Sequence, residues 1–404
     1  MLELIRNEIG LFFNKKNILL FLAGIIAIVP LYHFHYVKAF KDYPQARLAE
    51  LQDNYKDIVI YAKAYQNRLE RLRKEYPGHP DTEEAELMAR VWNSYSSLED
   101  TLMNDWKWPD RYQKDIREAE VMLDEQLSPV AEQKVEVGDT NLYRNTQRDW
   151  NERMLLIKAY EKSGKEIPII RNIPSGGYVL NDGLSGVSII FMLAVLLVLL
   201  WNYDSWSADF EQSTCRMLFT LPYTRKRIFF VRYLVRSALS VGGVILLFGE
   251  LYLCGAIRFG TGLKEYVIIN TKAFSRFGFF QTGWKALMGT DKAVSIGYAA
   301  VWKAILLFVF ITVLIAFVHL ISFGMRNQIG TLIILVSIVV VTVTYVLYPR
   351  EYKDAGFQVF LYFQAGNALN GSLGTGLMPM LALLGGCLVL LLGTTALWFE
   401  KREI

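Results

Sequence analysis

Residues 304–348 read AILLFVFITVLIAFVHLISF, then GMRNQ, then IGTLIILVSIVVVTVTYVLY. Two apolar runs are thus divided by a short polar link. About 20 residues of α-helix cross the hydrocarbon of a bilayer, so this stretch spells a transmembrane helical hairpin. Outward from it, residues 17–36, 183–201, 237–257 and 376–399 are apolar over comparable lengths. The composition agrees, with 53% hydrophobic and 20% charged residues among 404 and a mean hydropathy of +0.24. A chain of soluble domains needs more polar surface than that. The expected class is all-α, a polytopic membrane protein with six transmembrane helices.

The net charge of +4 leaves no nucleic-acid footprint, but its distribution is uneven. Residues 38–182 carry 22 Lys and Arg against 27 Asp and Glu, and the remainder 21 against 12. An acidic insert therefore interrupts a basic membrane protein. Lys and Arg near span ends mark the cytoplasmic side. Arg6, Lys15 and Lys16 precede the first span, Arg225, Lys226, Arg227 and Arg232 lie between the second and third, and Arg326 divides the fourth from the fifth. Lys401 and Arg402 follow the sixth. All fall on one side if six spans hold, which makes both termini cytoplasmic and residues 37–182 an extracytoplasmic domain. His33 to Tyr36 stand where a signal peptide would need small cleavage residues, so the first span is read as retained. The domains are then 1–16, an amphipathic cytoplasmic helix; 17–36, the first span; 37–182, the insert; and 183–404, the other five spans, with a cytoplasmic connection at 202–233.

The insert reads as a helical bundle. Leu48, Leu51, Tyr55, Ile58, Ala62, Tyr65, Leu69, Leu72 and Tyr76 alternate spacings of three and four, a coiled-coil seam. Pro77-Gly78-His79-Pro80 stops that helix. Asp81, with Glu84 three residues on, is expected to cap a second helix that buries Leu87, Val91, Leu98 and Leu102. A third carries Tyr112, Ile116, Ala119, Leu123 and Leu127 on one face. A fourth turns Tyr143, Trp150, Met154 and Ile157 inward and ends at Gly164. Pro44 is the one expected break where the first of these continues from span one. Two further stretches, 258–303 and 355–375, have no clear period. Each reads either as an interfacial loop or as a re-entrant segment beside a pathway.

No phosphate-binding, zinc-protease, hydrolase or kinase motif is present, and Cys215, Cys254 and Cys387 make no metal or disulfide pattern. His33 and His35 lack helical ligand spacing. Glu250 and His319 are ionisable residues inside apolar spans, which cost free energy unless they face a cavity or a partner. They are candidate pathway residues. Between the second and third spans, Asp209 to about Leu221 reads as a short amphipathic helix along the membrane surface. Pro222 stops it, and a basic run starting at Arg225 follows.

Glu211, Thr214, Leu218, Pro222, Thr224 and Arg225 make this connection resemble the E-x-G-T, L-x-x-x-P-x-[ST]-R pattern of ABC-2-type transporter permeases. Ser213 stands where that pattern has glycine, so the local backbone is in question. Residues 2–13 and the six spans extend the resemblance, while the large insert lies outside it. The resemblance implies a permease subunit in a bacterial cell membrane, with no catalytic residue and no cofactor in this chain. ATP and Mg would reside on two copies of a separate cytoplasmic ATPase, and a second permease chain, identical or related, would complete the complex. It implies that 202–233 is an ATPase-coupling loop in which Asp209, Glu211, Thr214, Leu218, Leu221, Pro222 and Arg225 make the contact. The expected activity is ATP-driven export of a hydrophobic or amphipathic substrate such as a lipid, peptide or drug-like molecule. Antimicrobial-peptide resistance with capture by the insert, or a membrane receptor with a helical sensor domain, are the alternatives.

Overall fold

The computed structural model describes residues 2–41, 60, 63–78, 81–83, 85–86, 89–90, 93, 96, 114, 118, 152, 155–165, 173–186, 188–214, 220, 222–271, 291–325, 327–347, 364–369 and 376–401. The chain divides into two compact units, residues 1–36 with 174–404 and residues 37–173.

In the first unit, α1 (Leu2–Phe12) is followed by α2 (Lys15–Leu31) and a π-helical turn (Tyr32–Val37). After the insert come α3 (Gly176–Gly183), α4 (Ile189–Asn202), α5 (Ser207–Glu211) and α6 (Arg225–Phe259). Then follow β1 (Tyr266–Asn270), β2 (Asp291–Ser295), α7 (Ile296–Met325), α8 (Gln328–Leu347), α9 (Ala365–Leu369) and α10 (Leu377–Lys401). Helices beginning at Lys15, Ile189, Arg225, Ile296 and Leu377 are long and apolar enough to cross a membrane. The fifth apolar run of the sequence forms α8, and in sequence Arg326 and Asn327 separate it from Met325 at the end of α7.

Burial orders these helices. The helix starting at Ile189 is the most enclosed of the five and the one starting at Lys15 the least. α4 is apolar around its whole circumference, as a helix surrounded by others must be. Ser188 starts it, accepting from Phe191 N at 3.1 Å while its hydroxyl donates to Gly183 O at 2.9 Å. Leu199 of α4, Val318 of α7 and Leu335 of α8 form one core cluster. A second joins Leu4, Trp206, Ile228, Phe229, Phe323 and Phe399 from α1, the 203–206 turn, α6, α7 and α10. α6 has 35 residues, about 52 Å at helical rise. That is well beyond a ~30 Å hydrocarbon layer, so its basic first turns extend past it.

Two expectations change. Residues 258–303 contain neither a plain loop nor a re-entrant helix in their described part. An antiparallel ribbon pairs Tyr266 with Ser295 through Asn270 with Asp291, and α7 begins already at Ile296. Tyr266-Val-Ile-Ile is β-branched and aromatic, and hence strand-forming, yet too short to read amid Gly and Lys. Residues 174–182, assigned to the insert from sequence, pack within the membrane unit as α3. The first span contains Pro30, which lacks the N–H that would bond one turn back, and the π turn follows it. Pro44 lies outside the described residues. Of 355–375, only Gln364 and the helix α9 are described.

The insert has its own small core. Leu69, Ala85 and Ala89 are buried together with Tyr65 and Leu72 against them, consistent with the lower part of the heptad seam. The helix stops at Gly78, whose φ of +85° suits glycine. Asp81 is itself helical rather than a cap and takes an ion pair from Arg68 at 3.3 Å. Arg73 and Arg90 both bond Glu86 and hold its carboxyl below the usual range. Ile157 and Tyr160 are buried, and the last helix closes at Gly164 with Lys165 N bonding Tyr160 O at 3.1 Å. The upper seam, Leu48, Leu51, Tyr55, Ile58 and Ala62, the second-helix residues Leu87, Val91, Leu98 and Leu102, and the third-helix stripe lie outside the described residues, as do Tyr143, Trp150 and Met154.

Candidate functional site

The connection after α4 is tied to three helices by charge. Arg232 of α6 is 1% exposed and Glu8 of α1 is fully buried. Arg232 Nε donates to Glu8 Oε1 at 2.9 Å and Nη1 to Ser205 O at 2.8 Å, and Nη1 also pairs with Asp209. Its guanidinium lies 4.1 Å from the Trp206 ring centre. One turn on, Arg236 Nη1 pairs with Asp204 Oδ1 at 3.3 Å, and Asp204 also pairs with Lys16 at the start of α2. Three cations thus meet three carboxylates, and the cluster is neutral overall. Burying such charges is tolerable only when they are mutually paired and hydrogen-bonded.

Trp206 is the pivot of the connection. It is fully buried, and its backbone N and that of Ser207 both donate to Ser322 Oγ on α7 at 2.9 Å. Its indole Nε1 donates to His319 Nδ1 at 3.0 Å. Nδ1 therefore accepts, which leaves the proton of a neutral imidazole on Nε2. Phe229, Phe323 and Phe399 surround the indole.

The predicted surface helix from Asp209 to about Leu221 does not run unbroken: it is interrupted after Glu211, and residues 215–219 and 221 lie outside the described residues. α5 ends at Glu211, Gln212 closes it and Ser213 adopts φ +60°. That is the left-handed backbone a glycine occupies without strain, so Ser213 stands in a conformation that glycine would suit. Asp209, expected at a partner surface, turns inward: its side chain pairs with Arg232 and accepts from Thr214 Oγ1 at 3.1 Å. Glu211 Oε2 accepts from Gln328 N at 3.4 Å, at the start of α8, where the helix dipole favours a carboxylate. Pro222 is exposed. Arg225 Nη1 donates to Glu400 O at 3.4 Å, and Lys226 pairs with Glu400 at 2.7 Å. Leu218 and Leu221 lie outside the described residues.

The other two candidates part company. His319 is completely buried in the aromatic cluster. Glu250 sits half-buried on α6, and its Oε2 has no hydrogen-bond partner among the described residues. Among the described residues no group of His, Cys, Asp and Glu could hold a metal.

Sequence reading missed Glu8, Arg232, Arg236, Asp204 and Ser322. A signal existed for Glu8, which falls between Leu4 and Phe12 at spacings of four, an acid in the buried stripe of an amphipathic helix.

A family model described as ABC-2 family transporter protein matches residues 5–404. No curated protein and no solved structure matches the chain significantly.

Proposed function

The chain belongs to the ABC-2 transporter family, and from that membership we propose that it is the permease subunit of an ATP-driven exporter. Members of the family are membrane components that work with an ATP-binding subunit. In this reading six spans cross the cell membrane with both termini and residues 202–233 in the cytoplasm, and the insert lies outside. Two copies of the ATPase hold ATP and Mg, and a second permease chain completes the path for a hydrophobic or amphipathic substrate. Glu250 and His319 stay as pathway candidates, Glu250 with more support because its carboxyl lacks a partner among the described residues.

The observation that carries the coupling role is the buried charge cluster. Residues 203–209 are bonded to α6 through Arg232 and Arg236, to α1 through the shared partner Glu8, and to α7 through Ser322. A load on the connection would reach several helices with little slack, because the joints are hydrogen bonds and ion pairs in a packed core. Asp209 and Thr214 then serve as the internal brace. Glu211, Pro222 and Arg225, with Leu218 and Leu221, form the outward contact, where edge charges fix register and apolar residues supply adhesion. The nucleotide state of the ATPase biases the membrane helices through differential contact with this surface.

Co-purification tests this. Glu211→Lys and Leu218→Asp should each reduce recovery of the ATPase with the membrane-inserted permease at least tenfold, with yield of the permease unchanged. Wild-type recovery of the ATPase by both variants would remove this segment from the interface.

A further inference from the structure

The end of the membrane unit away from the 202–233 connection holds a second polar joint, which none of the foregoing uses. The chain leaves this unit after the π turn and returns at Pro174, and these two places are bonded to each other. Tyr32 OH donates to Pro174 O at 3.3 Å, and Tyr36 OH donates to Asp182 Oδ2 of α3 at 2.8 Å. The Tyr36 and Tyr178 rings meet edge to face. Lys303 of α7, 6% exposed, donates to Asn181 O at 2.9 Å and has Asp182 as its counter-charge.

The two sides of α3 are held differently. Toward α6 the contact is backbone to backbone. Gly176 N bonds Gly260 O at 3.0 Å and Gly177 N bonds Thr261 O at 2.6 Å. A Cβ on Gly176 would meet Tyr252 O at 2.8 Å, and one on Gly177 would meet Gly262 C at 2.7 Å. Such a seam has no room to slide. Toward α2 the bonds are two tyrosine hydroxyls, which can open without disturbing that seam. α2 is also the least buried of the five long apolar helices. It carries Pro30 just before the six-residue π turn, and both features loosen the helical ladder where bending is easiest.

We propose that Tyr32 and Tyr36 latch the end of α2 onto α3, and that the latch opens by a swing of α2 about Pro30 and the π turn. Lys303 makes the opening reversible. When the Tyr36 hydroxyl leaves, the half-buried Asp182 still has near it the Lys303 ammonium bonded to the neighbouring Asn181 carbonyl, so release does not leave the carboxylate without a counter-charge. α3 and α7 stay together, and the gap opens between them and α2. This goes beyond the coupling reading and requires no ATPase.

Spin labels report the swing directly. In the full chain in nanodiscs, with Cys215, Cys254 and Cys387 replaced by serine, labels go on Phe34→Cys and Tyr298→Cys. Both parent side chains are exposed, at 68% and 47%. Tyr36→Phe removes one hydrogen bond, and a net loss of that size shifts a two-state population about fivefold. The expected result is a longer-distance population about fivefold larger than in the parent, and larger again in the Tyr32→Phe/Tyr36→Phe double variant. A bond that is only structural would lower the thermal unfolding midpoint and leave the distances alone. Superimposable distance distributions in the parent, the single and the double variant would overturn the latch.

Discussion

Ser213 shows how one dihedral angle outweighs a side-chain pattern. Hydrophobic spacing favours a helix running on to Leu221, yet the chain reverses hand at φ +60° two residues after Glu211. A left-handed conformation costs a non-glycine residue about 1–2 kcal/mol, offset in part because glycine loses more backbone entropy on folding. Ser213→Gly is therefore expected to hold or raise the unfolding midpoint of the detergent-purified chain. Ser213→Val, β-branched and bulkier, should lower stability by roughly 1–2 kcal/mol. Equal midpoints for the glycine and valine variants would mean that the turn is not held at that angle.

At the scale of helices, the Glu8–Arg232 pair fastens α1 to α6. Removing one partner of a buried pair costs about 3–5 kcal/mol, because the other charge is left uncompensated. Arg232→Met strands both Glu8 and Asp209 and should be the more damaging single change. Glu8→Leu leaves Arg232 with Asp209 and Ser205 O and should cost less. The double variant Glu8→Leu/Arg232→Met should be less destabilised than the two single losses added together, by about 0.5–3 kcal/mol. Chemical denaturation of the four proteins measures this, and strict additivity would show that the two side chains do not sense each other.

The whole molecule is two units, and the insert has a core of its own. Residues 38–173 expressed alone should be soluble, with a circular dichroism spectrum dominated by helix. A spectrum dominated by strand or coil would contradict the heptad seam. Glu86 adds a pH dependence. Its folded carboxyl titrates below its ordinary value because Arg90 and Arg73 bond it, so its contribution is present above the unfolded carboxylate range. That contribution is lost as pH falls through the folded value. The unfolding midpoint of the insert should be flat near neutrality and decline on acidification, and Glu86→Gln should flatten part of that decline.

Composition and period were enough for much of this protein. Six apolar runs in the sequence coincide with helices α2, α4, α6, α7, α8 and α10, because a helix exposed to lipid or buried by other helices must be apolar along its own length, a property each segment carries alone. The stop at Gly78 and the close at Gly164 were legible for the same reason, since caps are local. The inward turn of Asp209, the burial of Glu8 and the bond from Lys303 to Asn181 O were not legible. A charge in a sequence reads as solvated, and only the arrival of a partner 23, 224 or 122 residues away makes it internal. Pairing energy belongs to two positions at once, so no single stretch displays it, and tertiary structure alone decided which charges face water and which hold the helices together.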